Sequence, residues 1–304
     1  MHIFAKIFNR GEIMIIKRDK YLQELIDRKE NRLVKVITGI RRSGKSFLLF
    51  NLYYEYLISQ GIKREQIIEL ALDQDDNARF RNPIELGNFI RNKIIHSGEK
   101  IYVFIDEIQF VGKVKNPYLE NDYITFYDVL NGLMKFKNVD IYVTGSNSKM
   151  LSKDILTEFR GRGDEIYVMP LTFSEFMSVY SGDKYEGWAE YFTYGGLPAI
   201  LQRKTESQKA EYLTNLFKET YIKDIIERNK ILHDKSVLDD LLNIISSSVG
   251  SLTNASKISK TFKSERQVSI SDETVSRYLD FFIDAFMIYK AERYDVKGRK
   301  YIGS

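Results

Sequence analysis

The fold is decided by residues 34–46, which read VKVITGIRRSGKS. The part from Gly39 to Ser46 matches the pattern G-x-x-x-x-G-K-[ST] in full. The β-branched run before it predicts a strand over 33–38, and the apolar residues after it predict a helix over 45–60 that ends at Gly61. A strand, this loop and a helix in that order form the context in which the pattern binds phosphate. We therefore expect a nucleoside triphosphate here, and a plain glycine-rich turn is the disfavoured alternative.

Each residue type in the loop suits phosphate chemistry. Glycines allow backbone N–H groups to turn inward around phosphate oxygens, and the N-terminus of the following helix favours anions. Lys45 is expected to reach the β- and γ-phosphates, and the Ser46 hydroxyl is expected to ligate Mg²⁺. The predicted nucleotide-binding residues of this segment are Gly39, Ile40, Arg41, Arg42, Ser43, Gly44, Lys45, Ser46 and Phe47.

Two acids follow an apolar strand that is predicted over 101–105. Adjacent carboxylates are expected at the end of a buried strand when they face the ligand cleft at the carboxyl edge of a parallel sheet. Asp106 is predicted to complete the Mg²⁺ ligand set with Ser46, and Glu107 is predicted to orient or deprotonate the attacking water. A solvated strand end is the alternative, and for Asp73, at the end of an earlier strand, that alternative is preferred.

Further candidates follow the strand predicted over 140–144. Ser146 or Asn147 would contact the γ-phosphate. The competing interpretation is that this segment only supplies Ser148 as the cap of the helix predicted over 148–159. Arg160 and Arg162 come next. An arginine supplied to the γ-phosphate of a neighbouring subunit accelerates phosphoryl transfer, which would require a homo-oligomer, although a solvated arginine is the commoner fate.

Strands alternate with helices up to Pro170, which predicts an α/β fold with a parallel sheet covered on both faces. Helices dominate after that point, and the C-terminal order helix, helix, strand, strand suggests a winged helix. The predicted organisation is an N-terminal extension (1–17), a P-loop core (18–170), a helical lid (171–235) and a winged-helix-like domain (236–304). The remaining predicted elements are strands over 66–72 and 165–168, a hairpin within 287–301, and helices over 18–30, 83–95, 123–136, 173–180, 185–193, 207–229, 235–247, 254–262 and 272–283.

The composition excludes several classes of site. The chain has no cysteine, so disulfides and cysteine-ligated zinc are excluded and a reducing cytoplasmic compartment fits. No apolar run approaches the roughly twenty residues of a membrane span, and charges at Lys6, Arg10 and Glu12 interrupt any signal-peptide pattern. The net charge of +4 supports neither a strongly basic nucleic-acid binder nor an acidic tail. We expect a cytoplasmic protein without membrane contact.

Together these residues resemble the AAA-type P-loop ATPases of bacteria and archaea, in the branch that usually carries a C-terminal nuclease-like domain of unknown function. The resemblance covers about residues 18–303, and its more specific stretches are PLTFSEF (170–176) and YGGLPA (194–199). The other matching stretches are 36–46, 105–109, 144–146 and 161–163. In that family the chain normally continues past residues 295–300 into the extra domain. The sequence stops at Ser304, as a truncated or a naturally short form would, and we expect no nuclease-like role from the residues in it.

The resemblance implies ATP hydrolysis with Mg²⁺ and a phosphate-loop strand that lies beside the strand ending near Ser146. It also implies a helical lid, a winged helix and a Pro198 that contacts the adenine. A proline that starts a helical turn in the lid is the alternative for Pro198. Two rival functions stay open. One is a switch that binds the nucleotide tightly and hydrolyses it slowly. The other is a DNA-binding protein in which ATP only regulates docking onto DNA.

Duplex DNA would meet the C-terminal part through a helix over 272–281, with Ser271 as its N-cap. Asp272 and Glu273 fall where base-reading residues usually sit, and their charges suit the helix dipole and repel DNA. A protein contact or a lid role is therefore favoured over DNA. Basic residues nearby that would meet phosphates are Lys257, Lys260, Lys263, Arg266, Lys297, Arg299 and Lys300.

Overall fold

The computed structural model describes residues 6–9, 12–146, 162–231, 235–267 and 269–291, and it divides into two compact units, 1–210 and 211–304. Several predictions lie outside the described residues: Asn147, Ser148, the helix over 148–159, Arg160 and the hairpin beyond residue 291. Within the described part, no helix has the length and apolar character needed to cross a bilayer.

The described residues of the first unit form nine strands, and five of these form its central sheet. The strands are β1 (Lys6–Asn9), β2 (Glu12–Ile15), β3 (Val34–Thr38), β4 (Ile67–Ala71), β5 (Ile101–Asp106), β6 (Val114–Lys115), β7 (Tyr123–Ile124), β8 (Val139–Thr144) and β9 (Gly163–Tyr167). The central order is β4-β5-β8-β3-β9, and every pairing in it is parallel. The predicted parallel sheet is confirmed, and β3 lies beside β8 as the resemblance implied.

Both faces of the central sheet are covered, because its strands are apolar on both sides. Along β5, Val103 and Ile105 pack in one cluster with helices Pro83–Ser97 and Phe126–Leu133. Tyr102 and Phe104 point the other way and pack with helix Asp19–Asp27 and the helical segment after the glycine loop. Successive side chains along each strand point to opposite faces, so the strands contribute to two cores, one above and one below the sheet.

The helix after the glycine loop is continuous but contains a wider turn. It runs through Lys45–Phe47, a π-helical segment Leu48–Tyr53 and Tyr54–Ser59, followed by Gly61 at φ +83°. The other described helices of the first unit are Phe173–Met177, Lys184–Tyr194 and Glu206–Asn215, the last of which ends beyond residue 210. Short 3₁₀ turns span Arg64–Gln66, Asp75–Arg81, Ile108–Phe110 and Pro198–Gln202.

The helix predicted over 123–136 was wrong at both ends, since it spans Phe126–Leu133. Its first residues form β7 instead, which pairs antiparallel with β6. The helix begins after Thr125 because Asp128 accepts hydrogen bonds from the Thr125 N–H and hydroxyl, both at 2.8 Å. The helix predicted over 173–180 is likewise shorter, ending at Met177.

The described residues of the second unit form helices joined by turns and loops, with no strand. Its helices are Lys223–Asn229, Lys235–Ser247, Ala255–Thr261 and Asp272–Asp284, with π-helical segments Leu216–Ile222 and Phe262–Arg266. Ser271 caps the last helix by accepting from Thr274 N at 3.2 Å, as predicted. Residues 287–291 contain no strand, so the described part of the predicted hairpin is not β-structure. The winged helix and its contact with DNA stay predictions.

A buried ion pair joins β3 and β8 near their amino ends. Lys35 and Asp140 are 0% and 2% exposed, and the Lys35 ammonium donates to the Asp140 carboxylate. Burial lowers the pKa of Lys35, and the Asp140 charge acts against that shift. The carboxylate also accepts from the Tyr142 hydroxyl at 2.7 Å and from Glu30 N at 2.9 Å. A buried charge that is fully paired in this way becomes costly once its partner is removed.

We predict that Asp140→Asn lowers the free energy of unfolding by about 3–5 kcal/mol, because it leaves the Lys35 charge buried without a counterion. Urea denaturation measures the change. The matched control is Glu99→Gln, which removes an exposed ion pair with Lys63 (3.0 Å) and should cost at most about 1 kcal/mol. Equal losses in the two variants would contradict the assigned importance of the buried pair.

Candidate nucleotide site

The loop from Gly39 to Ser46 has the backbone that its glycines permit. Gly39 has φ +135°, and a Cβ atom there would lie 2.2 Å from the carbonyl oxygen of Val168. Gly44 has φ +100°, and Arg42 adopts φ +66° without being a glycine. Residues other than glycine rarely adopt such φ values, and a side chain at position 39 would clash with Val168. The observed loop backbone therefore requires glycine at position 39.

Lys45 and Ser43 are buried polar residues within the loop. Lys45 is 4% exposed, and its ammonium donates to the carbonyl oxygens of Gly39 (2.9 Å) and Ile40 (3.0 Å). Burial lowers the pKa of Lys45, while the carboxylates of Glu107 and Asp106 raise it. The Ser43 hydroxyl is buried and makes no hydrogen bond within the described structure. Such a group normally has a partner, so the loop offers a spare hydroxyl to a ligand.

The carboxylate of Asp106 lies directly against the start of the loop helix. Ser46 Oγ is 2.9 Å from Asp106 Oδ1, and the Thr144 hydroxyl donates to the same oxygen. The Thr144 hydroxyl also accepts from Glu107 N at 3.1 Å. One side chain at the end of β8 therefore orients both acids. Thr144 was not among the predicted site residues, although its place as the last residue of β8, two before Ser146, was the available signal.

Glu107 turns away from the strand direction at φ +54°. Its Oε2 accepts from the Gln109 amide and lies 3.4 Å from Ser146 Oγ. The Gln109 Oε1 atom is buried and makes no hydrogen bond within the described structure. Gln109 was missed as a site residue even though it lies within the stretch 105–109 that carries the resemblance. The structure thus brings Glu107 and Ser146 together and adds Gln109 between them.

The other predicted site residues differ in burial and in their position relative to the loop. Phe47, in the first turn of the helix after the loop, is 4% exposed, whereas Arg41 is half-buried and Arg42 is exposed. The exposed Arg162 lies at the opposite edge of the sheet, where its carbonyl oxygen accepts from Val34 N at 3.0 Å. It is therefore not adjacent to this chain's own loop.

Pro198 is buried and opens a 3₁₀ turn, as the lid-turn alternative predicted. Just before it, the Gly196 carbonyl accepts from Leu171 N at 2.7 Å, which ties this turn to the segment that follows β9. The contact between Pro198 and an adenine stays a prediction.

We predict that Gly39→Ala destabilises the protein by about 3 kcal/mol or more, because the new Cβ would meet a backbone carbonyl that has no room to move. Chemical denaturation of the nucleotide-free protein measures this loss. Gly61→Ala is the matched control, since Gly61 also has positive φ but has nothing within 4 Å, and about 1 kcal/mol is expected there. If both variants lose the same stability, the close approach to Val168 does not restrict the loop.

Comparisons with known proteins cover almost the whole chain. Residues 31–177 match the family described as AAA domain, and residues 185–303 match a domain of unknown function. An uncharacterized protein of Haemophilus influenzae is 37% identical over 293 residues, which cover 95% of this chain and 69% of that protein. An uncharacterized protein of Methanocaldococcus jannaschii is 28% identical over 280 residues, which cover 87% of this chain and 57% of that protein.

Among solved structures, AMPPCP-bound DnaA from Aquifex aeolicus aligns over 92% of this chain and 91% of its own, with 13% identity and a TM-score of 0.41. Likeness at this level carries no information about function. The AAA-domain match, in contrast, contains the loop and both acids. The nuclease-like domain that the resemblance attributed to relatives is not among these matches. The chain belongs to the same family as the Haemophilus protein, and its residues 31–177 match an AAA domain.

Proposed function

We propose that this chain binds ATP with Mg²⁺ and hydrolyses it to ADP. The supporting observation is that three neighbouring strands, β5, β8 and β3, direct their functional residues to one edge of the sheet. Ser46 and Thr144 both hydrogen-bond to Asp106, so these side chains already touch before any ligand is considered. Ligands bind parallel α/β sheets at this edge.

The loop supplies the phosphate contacts. Lys45 carries the positive charge for the β- and γ-phosphates, and the backbone N–H groups from Ile40 to Ser46 supply neutral donors. Since the Lys45 ammonium contacts the Gly39 and Ile40 carbonyls, it is already oriented over the loop. Pre-orientation reduces the entropy that binding must offset.

The donor set at the acid pair fits Mg²⁺. Ser46 Oγ and Asp106 Oδ1 are hard oxygens that lie 2.9 Å apart. Mg²⁺ is usually held by one or two protein oxygens and takes its remaining ligands from substrate phosphate and water. Once bound, Mg²⁺ would offset the negative charge of the phosphates.

Glu107 is the proposed general base. It would take a proton from a water molecule as the water oxygen bonds to the γ-phosphorus and the bond to the ADP oxygen breaks. Ser146 would contact the γ-phosphate from the end of β8, close to the Glu107 carboxylate. An arginine in trans, from Arg160 or Arg162, and movement of the lid and winged helix with nucleotide state are further parts of this proposal.

We predict that Glu107→Gln lowers the kcat of ATP hydrolysis by at least about 100-fold, because an amide cannot accept the proton of water. The affinity for ATP should change little. Lys45→Ala should weaken ATP binding by about 10- to 150-fold through the loss of a charged hydrogen bond. Steady-state hydrolysis with Mg²⁺ and equilibrium titration of a fluorescent ATP analogue measure the two effects.

Asp73→Asn is the matched control, because Asp73 follows β4 at the same edge of the sheet but has no assigned role. It should leave kcat and affinity within about twofold of wild type, as expected for a side chain outside the site. Turnover in wild type that persists in Glu107→Gln would refute Glu107 as the base. ATP binding without turnover under any condition would refute hydrolysis by this chain alone.

A slow nucleotide switch is the second candidate function, and one contact favours it. The Gln109 amide already engages the Glu107 oxygen, which would otherwise accept a proton from water. While this hydrogen bond is made, the Gln109 amide competes with a water molecule for that carboxylate oxygen. The structure therefore supports a resting arrangement in which Glu107 is restrained.

If this contact restrains Glu107, Gln109→Ala should raise kcat by about tenfold, the value of one hydrogen bond to a charged group. Single-turnover hydrolysis measures the chemical step directly. A fall in kcat would show instead that Gln109 positions Glu107 productively, and the switch would lose its structural support.

A further inference from the structure

Arg18 is a buried arginine outside the phosphate loop that contacts the loop's backbone. Only 4% of it is exposed. Its Nη1 donates to the carbonyl oxygen of Ser43 at 3.1 Å, and its Nη2 donates to that of Met169 at 2.5 Å. Its Nε lies 3.1 Å from Oε1 of Glu175 without hydrogen-bond alignment, so this contact is an ion pair. One guanidinium therefore joins the loop, the segment after β9 and the helix Phe173–Met177.

The partners of Arg18 are themselves fixed. Glu175 accepts from Thr172 N at 2.8 Å and from the Thr172 hydroxyl at 3.1 Å, which closes a capping box. The ring of Tyr21 lies 4.7 Å from the Arg18 guanidinium carbon, and its hydroxyl accepts from Met169 N at 3.1 Å. Removing a guanidinium from water is costly, and only a planar group with several N–H donors satisfies these partners together.

A hydrogen bond to the Ser43 carbonyl restrains the backbone at the centre of the loop. Ser43 lies between Arg42 and Gly44, which both have positive φ. A trans peptide is planar, so the C=O of Ser43 and the N–H of Gly44 point in opposite directions. A hydrogen bond from Arg18 to the Ser43 oxygen therefore also fixes the direction of the Gly44 N–H, on the other side of the peptide. The Arg18 charge also polarises the peptide and strengthens that N–H as a donor.

We propose that Arg18 is a positioning residue for the phosphate loop: it orients the Ser43–Gly44 peptide and connects the loop to the helix Phe173–Met177 through Glu175. Its effect on nucleotide binding rests on the proposed function, whereas its effect on the loop backbone does not. Through Arg18, the loop is thus linked to Glu175, at the start of the segment predicted as a lid.

The test compares Arg18→Lys with wild type. Lysine keeps the charge but lacks the planar fork, so it cannot bond both carbonyls and Glu175 in this geometry. Hydrogen exchange over residues 40–47 in the nucleotide-free protein should become at least about threefold faster, since the loop opens more often. Affinity for a non-hydrolysable ATP analogue should fall by about tenfold, the loss expected for one charged hydrogen bond.

Arg28→Lys is the matched control. Arg18 precedes helix Asp19–Asp27 and Arg28 follows it. Arg28 bonds Asp164 of β9 (2.9 Å) and the Glu24 carbonyl (3.0 Å) without contacting the loop. It should leave loop exchange and nucleotide affinity within about twofold of wild type, as for a site remote from the loop. Equal effects of Arg18→Lys and Arg28→Lys would overturn the proposal, because general loosening would then explain both.

Unchanged exchange over residues 40–47 in Arg18→Lys would also overturn it. If wild type binds no nucleotide, the proposed function fails, and the exchange measurement still decides the role of Arg18. If Arg18→Lys does not fold, Glu175→Gln replaces it, because glutamine can still complete the capping box. That variant should speed loop exchange by about twofold to threefold, and no change would refute the connection through Glu175.

Discussion

The parallel register between β3 and β8 is the constraint on which the site depends. It pairs Val36 with Val143 and Ile37 with Thr144, so that the end of β8 reaches the start of the loop. A slip of one residue would turn Thr144 to the other face of the sheet and separate it from Asp106. The buried pair of Lys35 and Asp140 ties the same two strands near their other end. The ion pair at the amino edge thus helps to maintain the register that places Thr144 beside Asp106 at the carboxyl edge.

The site is assembled from three strand ends that contribute different chemistry. β3 leads into the loop with its ammonium and hydroxyl, β5 ends in the two acids, and β8 supplies the hydroxyls of Thr144 and Ser146. A buried sheet is a suitable base because neither face is free to shift relative to the helices that cover it. Arg18 adds a connection from the loop to Glu175, from outside the sheet.

The sheet and most helices could be predicted because their signals are local. Buried parallel strands appear as continuous apolar runs, and the amphipathic stretches between them have helical spacing. The hairpin of β6 and β7 could not be predicted in this way. Each of its strands is two residues long, too short for any period, and Tyr123 continues smoothly into the apolar pattern of the next helix. The capping box of Thr125 and Asp128 was the one local signal that separated them.

By itself, the sequence determined the phosphate loop, the acid pair and the α/β class, because these depend on residue type and spacing along one or two adjacent elements. Only the tertiary structure decided which side chains meet across distant segments. Thr144 contacts Asp106, Gln109 contacts Glu107, and Arg18 contacts Ser43. No pattern in the sequence predicts any of these three pairings. Such pairings depend on strand order and register, which are set by the packing of the whole core.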